Sequence, residues 1–390
     1  MHQRTSEEIE SFDWIVSGAG CAGLSLLVRL IESGKFKDKK ILLVDKALKN
    51  KNDRTWCFWE QGNGFFEPVV YRQWEQLWFH SSLLSKSLEL HPYKYKLIRG
   101  IDFYNYCLDI ISQQPNIVFL QAPVEKIFSS TEEGTGVIAG GKSYKSGYVF
   151  NSVLFQKPQL KRHQYWLLQH FKGWVIETKE SVFEEGSGTL MDFRTDQSEG
   201  ATFFYVLPFA PNKALVEYTL FSKELLQPQA YENALKTYLK DQWQLQDYKV
   251  LEEEWGVIPM TNAAFPTIEK NIVHLGTAGG QTKASSGYTF QFIQKQSAAI
   301  VDSLIQKDHP FTEPQFGRRF HFYDSVLLHI LHHRTLPGDV IFSHLFQKNK
   351  AAQVFRFLDN DTSLPQELRI ISTLPTLPFL KAAVARTLPF

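Results

Sequence analysis

Cysteine is scarce in this chain: Cys21, Cys57 and Cys107 are the only three, an odd number without CxxC spacing. That argues against a disulfide framework or a cysteine zinc site and makes a reducing cytosol the expected compartment. No run of about 18 uninterrupted apolar residues occurs, so the chain is not expected to span a membrane. The opening MHQRTSEEIES is polar and acidic and lacks the apolar region of a signal peptide. A dominant charge is missing too. Lys and Arg number 42 against 41 Asp and Glu, so no nucleic-acid partner is expected. HExxH, GxSxG and Walker-lysine patterns do not occur, and the histidines, His332 and His333 included, have no partner pattern, so no metal is expected. Aromatic residues are abundant instead, at 14% with 31 Phe, which fits either an aromatic core or an aromatic-lined internal space.

The most informative stretch runs from Phe12 to Asp45. A strand, FDWIVSG, leads into the turn Gly18-Ala19-Gly20-Cys21-Ala22-Gly23, then an apolar helix through Leu30, then a second strand, ILLVD. Gly18 serves the tight turn, Gly20 lets backbone approach a pyrophosphate, and Gly23 permits close packing of helix on strand. The helix start directs unpaired N–H groups and partial positive charge at that pyrophosphate. Asp45 lies 22 residues after Gly23, where a carboxylate at the end of the second strand can bind a ribose hydroxyl. This is a dinucleotide-binding unit.

Beyond it, Arg54-Thr55-Trp56-Cys57-Phe58-Trp59 reads as an aromatic loop: either a packed plug, or a segment in which Arg54 meets phosphate and the rings border the site. Strand patterns fill Trp74–Leu90, a helix begins near Ile101, and a hairpin turns at Gly140-Gly141. From about 155 to 260 strands dominate, with one helix near 230–243. A strand at 271–276, the Gly279-Gly280 turn and the Gly287 segment before a long helix then return to the texture of the first part. The expected architecture is α/β: a Rossmann-like domain from 1–154 and 262–309 with an inserted β-meander, a substrate domain built on an antiparallel sheet at 155–261, and a helical region at 310–390. That last region interleaves basic residues with Phe and Leu, which suits a membrane-docking tail or a capping subdomain with a solvated basic face.

Glu217 interrupts the apolar run ALVEYTLF. Alternation puts Leu215, Glu217 and Thr219 on one face and Val216, Tyr218 and Leu220 on the other. If the Glu217 face is solvated, the residue is unremarkable. If it is buried, the carboxyl acquires a raised pKa or a partner and becomes a general-acid candidate. The acidic run Glu252-Glu253-Glu254 stops at Trp255-Gly256, a turn that would allow its last member to face inward.

GAGCAGLSL, DRTWCFW, LVEYTLF, EEEWGVIPM and GTAGGQTKASSGYTF, followed by SHLFQ, RFLD and PFLKA, come in the order and spacing seen in bacterial lycopene β-cyclases, which the chain resembles over nearly its whole length. The glycine turn is shared with many flavoproteins; the other motifs are more specific. The resemblance implies an FAD-binding fold with a substrate domain over it, reduced FAD as cofactor and NAD(P)H as reductant in a reaction without net redox change. It also implies lycopene as substrate, Glu217 as the essential acid/base and Glu254 as a second acid of the site. Gly279, Gly280 and Gly287 match the late flavin segment, while Trp56 and Phe58 move towards the substrate. Thr277 stands where many related flavoproteins carry an Asp, which speaks against a generic monooxygenase. Because lycopene is insoluble in water, the resemblance implies a cytoplasmic protein attached peripherally to the inner-membrane lipid surface, with other carotenoid enzymes as further partners. A flavin-dependent isoprenoid reductase or hydroxylase, and a non-catalytic flavin- or lipid-binding protein, are the rival readings.

Overall fold

The computed structural model describes residues 10–312 and 317–387. Its first sheet is built around parallel strands Glu10–Ser17, Ile41–Asp45, Ile117–Gln121, Lys142–Asn151 and Ile272–His274, with Glu10–Ser17 between Lys142–Asn151 and Ile41–Asp45. Ile15, Val16, Leu43 and Val44 are fully buried, as continuous apolar strands must be when both faces of a parallel sheet are covered. The helix Cys21–Glu32 packs against Gly100–Ser112 and Phe290–Lys307 over this sheet. Val124–Ser130 and Gly134–Ala139 extend it as an antiparallel meander, with the expected turn at Gly140-Gly141.

A second sheet orders its strands Tyr248–Thr261, Trp166–Thr178, Lys213–Ser222, Ala201–Ala210, Ser187–Asp192, Gln76–His80 and Ser85–Glu89. All its neighbours are antiparallel except Ser187–Asp192 with Gln76–His80. The last two strands come from the sequence expected to lie within the first domain, so the division between sheets does not follow a boundary near residue 154. Their hydrogen bonds complete the edge beside Ser187–Asp192. Alternation works as expected: Val216, Tyr218 and Leu220 pack under the helix Pro228–Trp243, and Leu215, Glu217 and Thr219 point the other way.

The Arg54–Trp59 segment corrects an expectation. It is not a loop: Thr55–Gln61 is a strand paired antiparallel with Tyr93–Arg99, which also pairs Arg72–Trp74. Its bulky side chains suit a pleated surface. Trp255-Gly256 is likewise not a turn, since Tyr248–Thr261 runs through it as one strand; Gly256 is required because an added Cβ would lie 2.4 Å from the Phe171 ring opposite.

The C-terminal helices Arg318–His333, Gly338–Lys348, Ala351–Leu358, Leu364–Ile371 and Thr376–Thr387 cap the second sheet, with Phe342 and Phe346 meeting Phe193, Phe221 and Phe79. Two ion pairs pin them: buried Lys283 to Asp324 at 2.8 Å, and fully buried Glu367 to exposed Arg319 at 3.0 Å. Among the described residues no helix is long and apolar enough to cross a membrane.

Candidate functional site

The two expected acids sit on strands that are not neighbours. Trp166–Thr178 lies between them, and Gly173 is in register with Glu217 on one side and Glu254 on the other. With no side chain on Gly173, the Glu254 side chain packs over it; a Cβ there would come within 2.9 Å of Glu254 Cγ. Burial pushes Glu217 well above the ordinary carboxylate range, and the neighbouring Glu254 charge pushes it further, while a 2.8 Å hydrogen bond from Thr219 Oγ1 partly opposes this. Burial also raises Glu254, opposed first by the 2.7 Å hydrogen bond donated by Thr55 Oγ1. The two carboxyls also share a hydrogen bond, which raises Glu217 and lowers Glu254, so Glu217 is the member of the pair that carries the proton and Glu254 the one that accepts. Both residues are half-buried and line a partly open cavity. Glu217 is therefore not on a solvated face. A carboxyl so placed keeps its proton to higher pH than an exposed one and can deliver it.

That cavity measures about 500 Å³ and runs from the glycine turn to the two acids. Gly20, Cys21 and Ala22 line one part, Glu217 and Glu254 another, with Trp56, Phe171, Tyr205, Tyr288 and Phe290 between. Tyr95 and Tyr288 join their hydroxyls at 3.1 Å beside the acids. Two buried polar atoms on the wall, Gln169 Oε1 and Ser286 Oγ, have no protein partner.

The glycines divide the labour as expected. Gly18 has φ +98°, Gly23 lies so near the Gly18 carbonyl that a Cβ would be 2.0 Å from its oxygen, and Gly20 faces open space. The helix begins at Gly20 with no side-chain cap, leaving its first amides free for an anion. This arrangement fits a dinucleotide pyrophosphate. Asp45 is committed to the turn itself: its carboxylate accepts the Ala19 and Ala47 N–H groups at 2.7 and 2.8 Å and pairs with Lys49 at 3.3 Å. Arg54 lines the cavity, held by Asp53 at 3.2 Å. Gly287 is at the wall, φ +72°, where a Cβ would strike Gln169. Gly279 and Gly280 are behind it, shaping the turn that presents Gly276 and Thr277 to the cavity.

The aromatic pair separates. Trp56 lines the cavity, whereas Phe58 is buried and stacks on Phe290 at 4.3 Å, supporting the wall from behind. Tyr95, Tyr205, Tyr288, Thr55 and Gly173 were not singled out from sequence. Only Gly173 carried a signal, a glycine inside a strand pattern, which marks a close approach. Cys57, near both acids, is a thiol raised by burial, and Cys21 is pushed up to about 12 by the same cause, so neither is a poised nucleophile.

Comparison with known proteins places this geometry. The family described as "Lycopene cyclase protein" matches residues 13–384. The chain belongs to the lycopene cyclase family. A family relative, lycopene beta-cyclase of Pantoea ananas, is 25% identical, with 96% of this chain and 97% of that protein covered. Among solved structures, a geranylgeranyl bacteriochlorophyll reductase-like protein of Thermoplasma acidophilum superposes with TM-score 0.64 at 11% identity, covering 97% of this chain and all, 100%, of that one. A flavoprotein/dehydrogenase of Cytophaga hutchinsonii gives 0.60 at 12% identity, over 97% and 99% of the two chains. These similarities establish the Rossmann-like flavoprotein fold of this cyclase-family member.

Proposed function

We propose that this chain is a lycopene β-cyclase that closes the linear ends of lycopene into β-rings, using FAD. The observation that carries the reading is the buried, proton-retaining Glu217 meeting Glu254 over Gly173, in a cavity continuous with the dinucleotide turn. Glu217 adds its proton to the terminal C1=C2 bond, the C5=C6 bond attacks the resulting cation at C1, and loss of the C6 proton completes the ring. The departing proton returns to the Glu217–Glu254 pair, so the acid is regenerated and no electrons are exchanged. Thr219 and Thr55 each donate a hydrogen bond to one oxygen of the acid beside them, which restrains both carboxyls. The faces of Trp56, Phe171, Tyr205 and Tyr288 exclude water and attract the passing cation.

Gly18, Gly20, Gly23 and the helix start would hold the FAD pyrophosphate and Arg54 a phosphate, with Gly276, Thr277 and Gly287 also available to the cofactor, while Asp45 braces the glycine turn through Ala19 and Ala47. Bound there and reduced by NAD(P)H, FAD would supply negative charge that stabilises a developing cation. The test is anaerobic incubation of the purified protein with lycopene in liposomes, FAD and NAD(P)H. Formation of β-carotene with only enough reductant to keep flavin reduced supports the reading. Consumption of reductant in step with product, without ring formation, overturns it in favour of a reductase.

A further inference from the structure

We propose, resting on the FAD reading above, that Gln169 and Ser286 form a hydrogen-bonding clamp for the polar edge of the flavin ring, one that favours the reduced ring over the oxidised one. Gln169 is 7% exposed and Ser286 8%, and both line the cavity. Neither Gln169 Oε1 nor Ser286 Oγ has a hydrogen-bond partner among the described residues. Burying a polar atom unpaired is costly, so two of them on one wall mark a place where a ligand supplies the missing groups. They also lie together. Ser286 directly precedes Gly287, and a Cβ on Gly287 would stand 1.9 Å from Gln169 Oε1. Glycine at that point, with φ +72°, leaves the carboxamide room beside the loop.

The two residues come from different halves of the fold. Gln169 is on the strand Trp166–Thr178 of the second sheet, whereas Ser286 is on the loop between the turn Gly276–Gly279 and the helix Phe290–Lys307. Along the strand Gln169, Phe171 and Gly173 share a face, because residues two apart point the same way. Gln169 is therefore about 13 Å from Gly173, the glycine in register with Glu217 and Glu254, at the usual rise per residue. The Phe171 ring lies on the cavity wall between them. One strand face thus joins the acid pair to an amide.

Chemistry selects the ligand. Lycopene is a hydrocarbon and offers these atoms nothing. The flavin ring has an apolar dimethylbenzene edge and a polar edge on which N3 and N5 flank a carbonyl. Oxidised, that polar edge carries one N–H, at N3; reduced, it carries two, at N3 and N5. Gln169 Oε1 and Ser286 Oγ are both acceptors, and the serine hydroxyl can also donate to the carbonyl. The reduced edge satisfies both acceptors, whereas the oxidised edge leaves one unpaired. A difference in binding between two states of a ligand shifts the equilibrium between them by the same amount. The clamp gives a reaction without net electron transfer a means of keeping its flavin reduced.

The test is titration of the flavin-free, full-length protein with oxidised FAD, with reduced FAD under anaerobic conditions, and with ADP as a probe of the glycine turn alone. Gln169→Leu and Ser286→Ala should each weaken reduced FAD about fivefold to tenfold, the usual worth of one hydrogen bond. Oxidised FAD should be weakened by a smaller factor and ADP not at all, and the midpoint potential of the bound flavin should fall. Ser187→Ala, which removes another buried, unpaired hydroxyl outside this cavity's lining, should change none of these. Circular dichroism and thermal melting establish that each variant is folded. Equal losses for the two redox states, no loss in either, or an equal loss of ADP overturns the clamp. Wild-type binding of FAD with unaffected variants removes the clamp and leaves the FAD reading, whereas a wild-type protein that binds no FAD overturns both. None of these measurements needs lycopene, so a failure of ring formation alone leaves the clamp standing.

Discussion

Glu217 and Glu254 meet across a single glycine. They belong to the two strands flanking Trp166–Thr178, and the contact exists only because position 173 has no side chain. Two like-charged groups brought together out of water cannot both ionise easily, so the pair keeps a proton to higher pH than either carboxyl would alone.

Replacing Glu217 by Gln preserves shape and removes the proton. Ring formation is expected to fall by about 10²- to 10⁴-fold, the usual contribution of a positioned general acid. Bound flavin, measured from its absorption spectrum, should be unchanged, because Glu217 is carried by the second sheet and the glycine turn by the first. Loss of flavin would mean that Glu217 serves the cofactor.

Gly173→Ala tests the glycine. The added Cβ would come within 2.9 Å of Glu254 Cγ and 3.1 Å of Leu215 Cδ1, so the Glu254 side chain must shift away from Glu217. Misplacing a catalytic group by about 1 Å typically costs on the order of 10²-fold. A steady-state assay should show the loss in kcat, and a variant as active as wild type would show that the two acids work separately.

The pH dependence follows from the raised pKa of Glu217, whose folded value lies well above the ordinary 4.5. Activity should be highest below the folded pKa and decline as pH rises through it, since the ionised form has no proton to give. For stability, the folded state binds the proton more tightly than the unfolded chain. The contribution of Glu217 is fully present below about 4.5 and is lost as pH climbs from there through the folded pKa. Glu217→Gln should therefore melt higher than wild type at pH 8, with the difference shrinking towards pH 4. Calorimetry at the two pH values measures this directly.

Thr55→Val removes the 2.7 Å hydrogen bond that favours ionised Glu254. The Glu254 pKa should rise further, displacing the pH–rate profile towards higher pH, with about 1 kcal/mol of stability lost with the bond. An unmoved profile would show that Glu254 does not titrate in the reaction.

The glycine turn was legible because its chemistry is local. Backbone freedom at Gly18, tight packing at Gly23 and open space at Gly20 are demands made within a few residues, and the surrounding strand–helix–strand pattern places them. The aromatic segment after Asp45 was less legible: its residues suited a plug or a site equally, and strand pairing with Tyr93–Arg99 decided which rings face the cavity. One of the pair, Trp56, lines it, while Phe58, on the same strand face two residues on, is covered by Phe290 and does not.

Alternation along LVEYTLF likewise tells which residues accompany Glu217, but nothing within ten residues tells whether that face meets water or protein. The answer depends on Gly173 and Glu254, brought alongside by cross-strand register, and on Tyr95, Tyr205 and Tyr288, which come from three separate elements. Local pattern thus wrote the cofactor turn and the strand carrying the acid into the sequence. Burial of that acid, and with it the raised pKa on which acid chemistry depends, arises from long-range pairing, because desolvation is a property of everything around a carboxyl and not of the residues beside it in the chain.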